Sequence, residues 1–406
     1  MVRKILYVSG SLGLGHITRD LVIARELRAV CPDVELSWIA ANPAATLIEE
    51  AGERLHPKAA SYANDNEPAE EAARGGQLNL LKYLMKASKD WRENVEVVGG
   101  IIAEEHFDLI VGDETYELNV GFMRQPELKK CPYVMIYDFI GLDSMTFNPM
   151  EWLGIYMWNR IWSSDFRKGR DSVHDRALFI GEEEDIADEP FGLLLPNRRE
   201  WARTLCEFVG YVLPFDPVSL QDRSEIRARL GYGDGPLIVC SIGGTAIGRE
   251  FLNLCGQSFA HLEQTLDGLT MLLVCGPRLA AETLDVPEGV EVRGYVPDLF
   301  EHFAACDLAL VQGGGATTLE LTALQRPFIY FPIEGHFEQA MVAERLERHN
   351  AGVRMDLSQT SPRALADQAL ATLQADHSFA TPPVDGGRRA AELIAEMVER
   401  LSLIHI

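Results

Sequence analysis

Short, mostly apolar runs recur along the chain. They are Lys4–Val8, Val34–Ala40, Phe107–Val111, Tyr133–Tyr137 and Ala177–Ile180 in the first half. Leu237–Ser241, Leu272–Cys275, Val290–Gly294, Leu308–Val311 and Pro327–Phe331 follow in the second. Runs of this length, bounded by glycine and proline, read as strands buried on both faces. The stretches between them have helical spacing. In Thr18–Val30 the apolar positions are Leu21, Ala24, Leu27 and Ala29, and Leu78–Glu105 and Arg388–Leu401 are spaced in the same way. Strand, helix, strand in alternation predicts parallel sheets with right-handed crossovers. The plan restarts after Pro196 and the Tyr211–Pro217 segment. The expected fold is therefore α/β, with two Rossmann-like lobes whose parallel sheets face each other across a cleft. One lobe covers residues 1–205 and the other 206–385, with a closing helix at 386–406 that packs back on the first.

Glycines mark the places where chemistry is expected. After Leu308–Val311 come Gly313, Gly314 and Gly315, then Thr317-Thr318-Leu319-Glu320 with helical character. A strand that empties through glycines into a helix is an anion site, because the first turn offers unpaired N–H groups and a positive dipole end. Glu320, in or just after that turn, could accept hydrogen bonds from two neighbouring hydroxyls, so the stretch suits a phosphate attached to a sugar. A second glycine turn, Gly10–His16, follows the first strand. It lacks the dinucleotide fingerprint: Thr18 stands at the third glycine position, and Ala40-Ala41-Asn42 replaces a ribose-binding acid after the second strand. Asp113 and Asp138 close two further strands on the side where open α/β sheets bind ligands, and His16 is expected to face the same crevice.

Composition narrows the partners. The net charge of −24 over 406 residues leaves no basic stripe for nucleic acid. Seven cysteines without a CxxC pair read as free thiols in a reducing, cytoplasmic compartment. No signal peptide and no membrane span are expected. Residues 147–168 hold three of the six tryptophans, with Met150, Tyr156, Met157 and Phe166 among Arg160, Arg167 and Lys168. That segment is either a helix packed on the sheet, an apolar acceptor pocket or a surface for peripheral membrane contact.

The motifs QGGGATTLE (Gln312–Glu320), PxxxxxxEQ (Pro332–Gln339) and GLGH (Gly13–His16) resemble a known family. The chain is similar to glycosyltransferases of the two-lobed GT-B type. It stands nearest the group that holds the bacterial peptidoglycan N-acetylglucosaminyltransferase and the UDP-glucosyl- and glucuronosyltransferases. The resemblance implies a nucleotide-sugar site in the second lobe. There Gln312, Gly314, Gly315, Thr317 and Thr318 would meet the diphosphate, with Gly243, Gly244 and Thr245 on its other side and Gly15 also near the donor. Tyr295 and Val296 would border the base, Glu320 the ribose, and Glu338 and Gln339 the donor sugar. It further implies that His16 is the catalytic base and Asp113 its partner. A histidine with a carboxylate behind it suits inverting transfer to a hydroxyl. A glycine-rich helix start can stabilise the leaving diphosphate, and no DxD acid pair stands ready for a metal, so no metal or other cofactor is expected. The expected partners are a UDP-sugar or other nucleotide-sugar donor and a small-molecule or lipid-linked acceptor. The family's usual histidine is Gln312 here, and Val342 stands where an asparagine is common. Two other readings remain: a UDP-sugar epimerase or hydrolase, and a non-catalytic nucleotide-sugar-binding module on the same scaffold.

Overall fold

The computed structural model describes residues 2–10, 15–63, 73–74, 77–78, 80–144, 147–164, 173–243 and 248–404. The chain divides into two compact units. One comprises Met1–Ala69, Asn79–Pro214 and Pro383–Ile406, the other Glu70–Leu78 and Phe215–Pro382.

The first unit begins β1 (Arg3–Val8), α1 (Gly15–Val30), β2 (Val34–Ile39) and α2 (Ala44–Glu50). A two-residue antiparallel pair, β3 (Ala73–Arg74) and β4 (Gln77–Leu78), belongs to the second unit and precedes α3 (Leu80–Glu104). The first unit continues with β5 (Leu109–Asp113), α4 (Tyr116–Arg124), β6 (Tyr133–Tyr137), α5 (Pro149–Trp162), β7 (Arg176–Ile180), α6 (Arg198–Leu205) and β8 (Cys206–Gly210). Its sheet is parallel throughout, in the order β2-β1-β5-β6-β7-β8. The period of two along β1 decides the layers: Ile5 and Tyr7 enter one core, Leu6 and Val8 the other. Helices cover both faces, as a parallel sheet requires.

The second unit repeats the plan. It runs α7 (Arg223–Leu230), β9 (Leu237–Ser241), α8 (Arg249–Leu262), β10 (Thr270–Val274), β11 (Val290–Arg293), α9 (Leu299–Ala305), β12 (Leu308–Gln312), α10 (Gly315–Ala323), β13 (Phe328–Phe331), α11 (Phe337–Arg348), β14 (Val353–Arg354) and α12 (Pro362–Gln374). Its order is β11-β10-β9-β12-β13-β14, again all parallel. Leu237 and Val239 face one core, Ile238 and Cys240 the other.

Two boundaries differ from the sequence reading. Cys206–Gly210 is the sixth strand of the first sheet, so that unit runs past residue 205 to Pro214. As an edge strand with one neighbour it carries Glu207, which accepts from Arg176 Nε at 2.6 Å, and so it lacks an apolar signature. Asp113 is the last residue of β5, which begins at Leu109 rather than Phe107. Helix α13 (Gly386–Ile404) is part of the first unit and buries Ala390, Ala391, Leu393, Ile394 and Val398 in the core that holds α1. All seven cysteines are free thiols. Among the described residues, no helix is long and apolar enough to cross a membrane.

Candidate functional site

Each sheet has one topological switch point. In the first unit, connections leave β1 toward β2 on one side and reach β5 on the other, which opens a crevice beyond the carboxyl ends of β1 and β5. His16, on the first turn of α1, and Asp113, at the end of β5, meet there: Nδ1 lies 3.2 Å from Asp113 Oδ2. Glycine makes the approach possible, because a Cβ on Gly10 would stand 3.2 Å from the Asp113 carbonyl oxygen. Gly112 allows the turn after β5, since its Cβ would lie 2.1 Å from Thr115 Oγ1.

Arg19 organises the surrounding charges. It lies one helical turn after His16, on the same face of α1. Its Nε donates to Asp113 Oδ2 at 3.1 Å, Nη2 donates to Asp113 Oδ1, and Nη1 donates to Asp138 Oδ2 at 2.6 Å. Nη2 also lies 2.9 Å from His16 Nδ1. One guanidinium thus ties α1 to the ends of β5 and β6. Beneath it the buried Asp20 accepts from the Tyr7 hydroxyl at 2.8 Å and the Ser9 hydroxyl at 2.5 Å. Glu114, left-handed at φ 52°, accepts from the Tyr116 hydroxyl at 2.8 Å.

The titrations follow from this arrangement. Burial and the Arg19 charge pull the His16 pKa down, but the hydrogen bond and charge of Asp113, with Asp138, outweigh them and leave it above 6.5. Burial pushes Asp113 and Asp138 up, but Arg19 and His16 together, with a Glu114 hydrogen bond at Asp138, outweigh it and hold both below the usual carboxylate range. Burial, followed by the Asp138 charge, lifts Glu114 well above that range, and burial, followed by the Asp113 charge, does the same for Asp20. Two carboxylate charges therefore face one guanidinium, and they favour the protonated form of His16. Ligand atoms of His16, Glu114 and Asp138 lie within 4.8 Å of one another, a spacing that a cation could use, although Arg19 already supplies positive charge there.

In the second unit the switch point lies between β9 and β12. Gly243, just past the end of β9, takes φ 78°, and Gly313 and Gly314 lead into α10. No side chain caps that helix, and a Cβ on Gly314 would meet nothing within 4 Å, so the N–H groups of the first turn are open. Gly315 and Thr317 lie on the accessible side of this turn. Thr318 does not: it is fully buried, and its hydroxyl donates to the Gly314 carbonyl at 2.8 Å, bracing the turn from behind. Glu320 is the sixth helical residue, just after the first turn. It is partly buried, and burial raises its pKa to about 8. Gln312 and Gln339 are also buried, with Gln339 Oε1 accepting from the Ile333 N–H at 2.7 Å, so it holds the loop between β13 and α11. Glu338 is in the first turn of α11, Tyr295 is exposed, and Val296 packs against the core. Gly13, Gly244 and Thr245 lie outside the described residues.

Residues 238–396 match the glycosyltransferase family 28 C-terminal domain. A protein of Methanosarcina acetivorans, named an uncharacterized glycosyltransferase, is 31% identical over 378 residues, covering 90% of this chain and 88% of its own length. The chain belongs to the GT-B glycosyltransferases. Shorter alignments reach a glycosyltransferase of Methanopyrus kandleri, at 24% identity, and the UDP-N-acetylglucosamine--N-acetylmuramyl-(pentapeptide) pyrophosphoryl-undecaprenol N-acetylglucosamine transferase of a Mycobacterium species, at 28%. They span 53% and 41% of those proteins and 46% and 37% of this chain. The glycosyltransferase of kitacinnamycin shares the fold across 100% of this chain and 99% of its own, with TM-score 0.60 at 18% identity. MurG of Acinetobacter baumannii does so across 98% and 100%, with TM-score 0.53 at 14% identity.

The sequence reading of this glycosyltransferase missed Arg19 and Asp20. The signal for Arg19 was present as an i, i+3 partner of His16 on a helix opening at a strand end. For Asp20 the signal was an acid at an otherwise apolar helical position. Residues 147–164 split between two of the readings given above. Helix α5 buries Ile155 and Asn159, while Met150, Trp152, Leu153 and Met157 are exposed, as is Phe147 before it.

Proposed function

We propose that this enzyme transfers a sugar, with inversion and without a metal, from a nucleotide diphosphate donor (UDP the favoured nucleotide) to an acceptor hydroxyl, with His16 as general base. The observation that carries this reading is the 3.2 Å contact between His16 Nδ1 and Asp113. With Nδ1–H donating to Asp113, the lone pair of Nε2 is left to take the acceptor proton, and the carboxylate stabilises the imidazolium that forms. The uncapped start of α10 suits the leaving diphosphate, and Glu320 suits the ribose hydroxyls. Gly243, Gly314, Gly315 and Thr317 complete the proposed donor contacts, with Tyr295 and Val296 at the base and Glu338 at the sugar. The exposed apolar face of α5 favours an acceptor with an apolar part, or peripheral contact with a membrane that carries it.

A second reading has its own support. Asp113, Glu114 and Asp138 cluster around one histidine, as an epimerase or hydrolase acting on the donor would require. Product analysis separates the two: incubation with UDP-sugars alone gives an epimerised or hydrolysed donor on the second reading. Transfer to an added acceptor panel appears only on the first. His16→Ala is expected to lower turnover by 10²–10⁴ while leaving UDP binding unchanged. Transfer that survives the substitution at near wild-type rate would remove the general-base assignment.

A further inference from the structure

His16 and Glu114 each have one committed atom and one that is not. Nδ1 of His16 meets Asp113 and Arg19, and Oε1 of Glu114 accepts from the Tyr116 hydroxyl and, at 3.3 Å, from the Asp138 N–H. Nε2 and Oε2 then stand 4.0 Å apart, and neither makes a hydrogen bond to a described residue. The backbone is bent to aim them. Glu114 takes a left-handed conformation at φ 52°, which a long side chain adopts at a cost, and its N–H is fixed on the Ile136 carbonyl at 3.0 Å. Strain of this kind collects where a side chain must be aimed. Gly10 lies between the two groups: a Cβ there would be in ordinary contact with both, 3.7 Å from His16 Cγ and 3.7 Å from Glu114 Cβ. The two side chains keep 11% and 12% exposure, so a ligand can reach them.

We propose that His16 Nε2 and Glu114 Oε2 form a binding site for two vicinal hydroxyls, so that the acceptor presents a diol, as a sugar ring or other polyol does. This rests on the reading of His16 as the base. In the neutral imidazole that acts as the base, with Nδ1–H turned to Asp113, Nε2 is an acceptor. Asp138 Oδ1 is buried with no hydrogen-bond partner among the described residues, an acceptor beside Glu114 for the proton that burial favours there. That leaves a lone pair on Oε2, so both atoms ask for an O–H. The oxygens of a gauche vicinal diol stand closer together than 4.0 Å, so each can reach its own acceptor. A lone alcohol or a half-blocked diol satisfies one atom and leaves the other desolvated and unpaired. In the transfer step the hydroxyl on Nε2 gives its proton to His16 as its oxygen bonds to the anomeric carbon. The bond from that carbon to the diphosphate oxygen breaks, and its electron pair leaves with the diphosphate. Glu114 gains and loses nothing; it fixes the neighbouring hydroxyl and hence which oxygen attacks.

The test needs no knowledge of the acceptor. His16 ring signals are followed by NMR in the full chain labelled with ¹⁵N-histidine, assigned with His16→Gln, during titration with glycerol and with 2-methoxyethanol, which has one hydroxyl blocked. Glycerol should shift the signals at concentrations at least tenfold lower. Glu114→Ala should erase that preference, and Glu114→Gln, which keeps an acceptor oxygen, should retain it. The Nδ1–H resonance reports that the Asp113 contact survives in both variants. Equal response to the two probes in the wild-type chain, or an undiminished preference in Glu114→Ala, overturns the proposal. The readout is binding, so loss of the general-base assignment through an active His16→Ala variant is a separate result.

Discussion

Glu320→Gln should make the second unit more stable and its nucleotide binding weaker. Burial moves the Glu320 carboxyl from 4.5 to about 8. Between those values the folded chain holds a proton that the unfolded chain has released, so stability falls as pH rises through the window. Below 4.5 both states are protonated and the cost is nil. Each pH step costs about 1.4 kcal/mol, which reaches on the order of 4 kcal/mol at pH 8. The side chain keeps some contact with water, and screening reduces that to roughly 2 kcal/mol. The amide carries no such cost. Urea titrations of both proteins should therefore coincide near pH 4.5 and separate by about 2 kcal/mol at pH 8, a rise of roughly 4–8 °C in the melting of a unit this size. Calorimetry should show UDP affinity falling at least tenfold, since hydrogen bonds from ribose hydroxyls to a charged acceptor contribute about 1.5–3 kcal/mol. A stability gain that is the same at both pH values would refute the burial argument. An unchanged UDP affinity would refute the ribose assignment.

If UDP binding ionises Glu320, it should release close to one proton at pH 7, seen as a binding enthalpy that varies with the ionisation heat of the buffer. The acid limb of kcat/KM should lie above pH 6.5, because Asp113 and Asp138 favour protonated His16 and only neutral imidazole is a base. Asp113→Asn should move that limb to lower pH while cutting turnover; an unmoved limb would assign it to another group. Arg19→Ala leaves Asp113 and Asp138 without their cation and should cost about 3–5 kcal/mol by urea titration. Met150→Ser with Leu153→Ser should change stability by less than about 0.5 kcal/mol, since both are exposed, yet weaken cosedimentation with phosphatidylcholine vesicles at high salt. Equal cosedimentation of variant and wild type would assign that face another role.

The strands announced themselves because a sheet covered on both faces needs uninterrupted apolar runs, and that need is local. The restart of the plan after Pro217 made the two units legible for the same reason. β8 was not legible, because an edge strand has one neighbour and can carry Glu207. The glycine-to-helix transitions at Gly315 and at His16 could also be read directly, since few other residues turn a strand so sharply into a helix. Which face of each helix meets the ligand could not. Thr317 and Thr318 look alike in sequence, yet Thr318 is buried and braces the turn while its neighbour is on the accessible side.

By itself, then, the sequence determined the two α/β units and the strand ends at which ligands must gather, because periodicity and glycine act over a few residues. Only the tertiary structure decided that Arg19 would clamp Asp113 and Asp138, that Glu114 would be bent toward His16, and that Glu320 would be held protonated. Those outcomes depend on charges brought together from three strand ends and on how much water burial removes, and neither quantity is local in the chain.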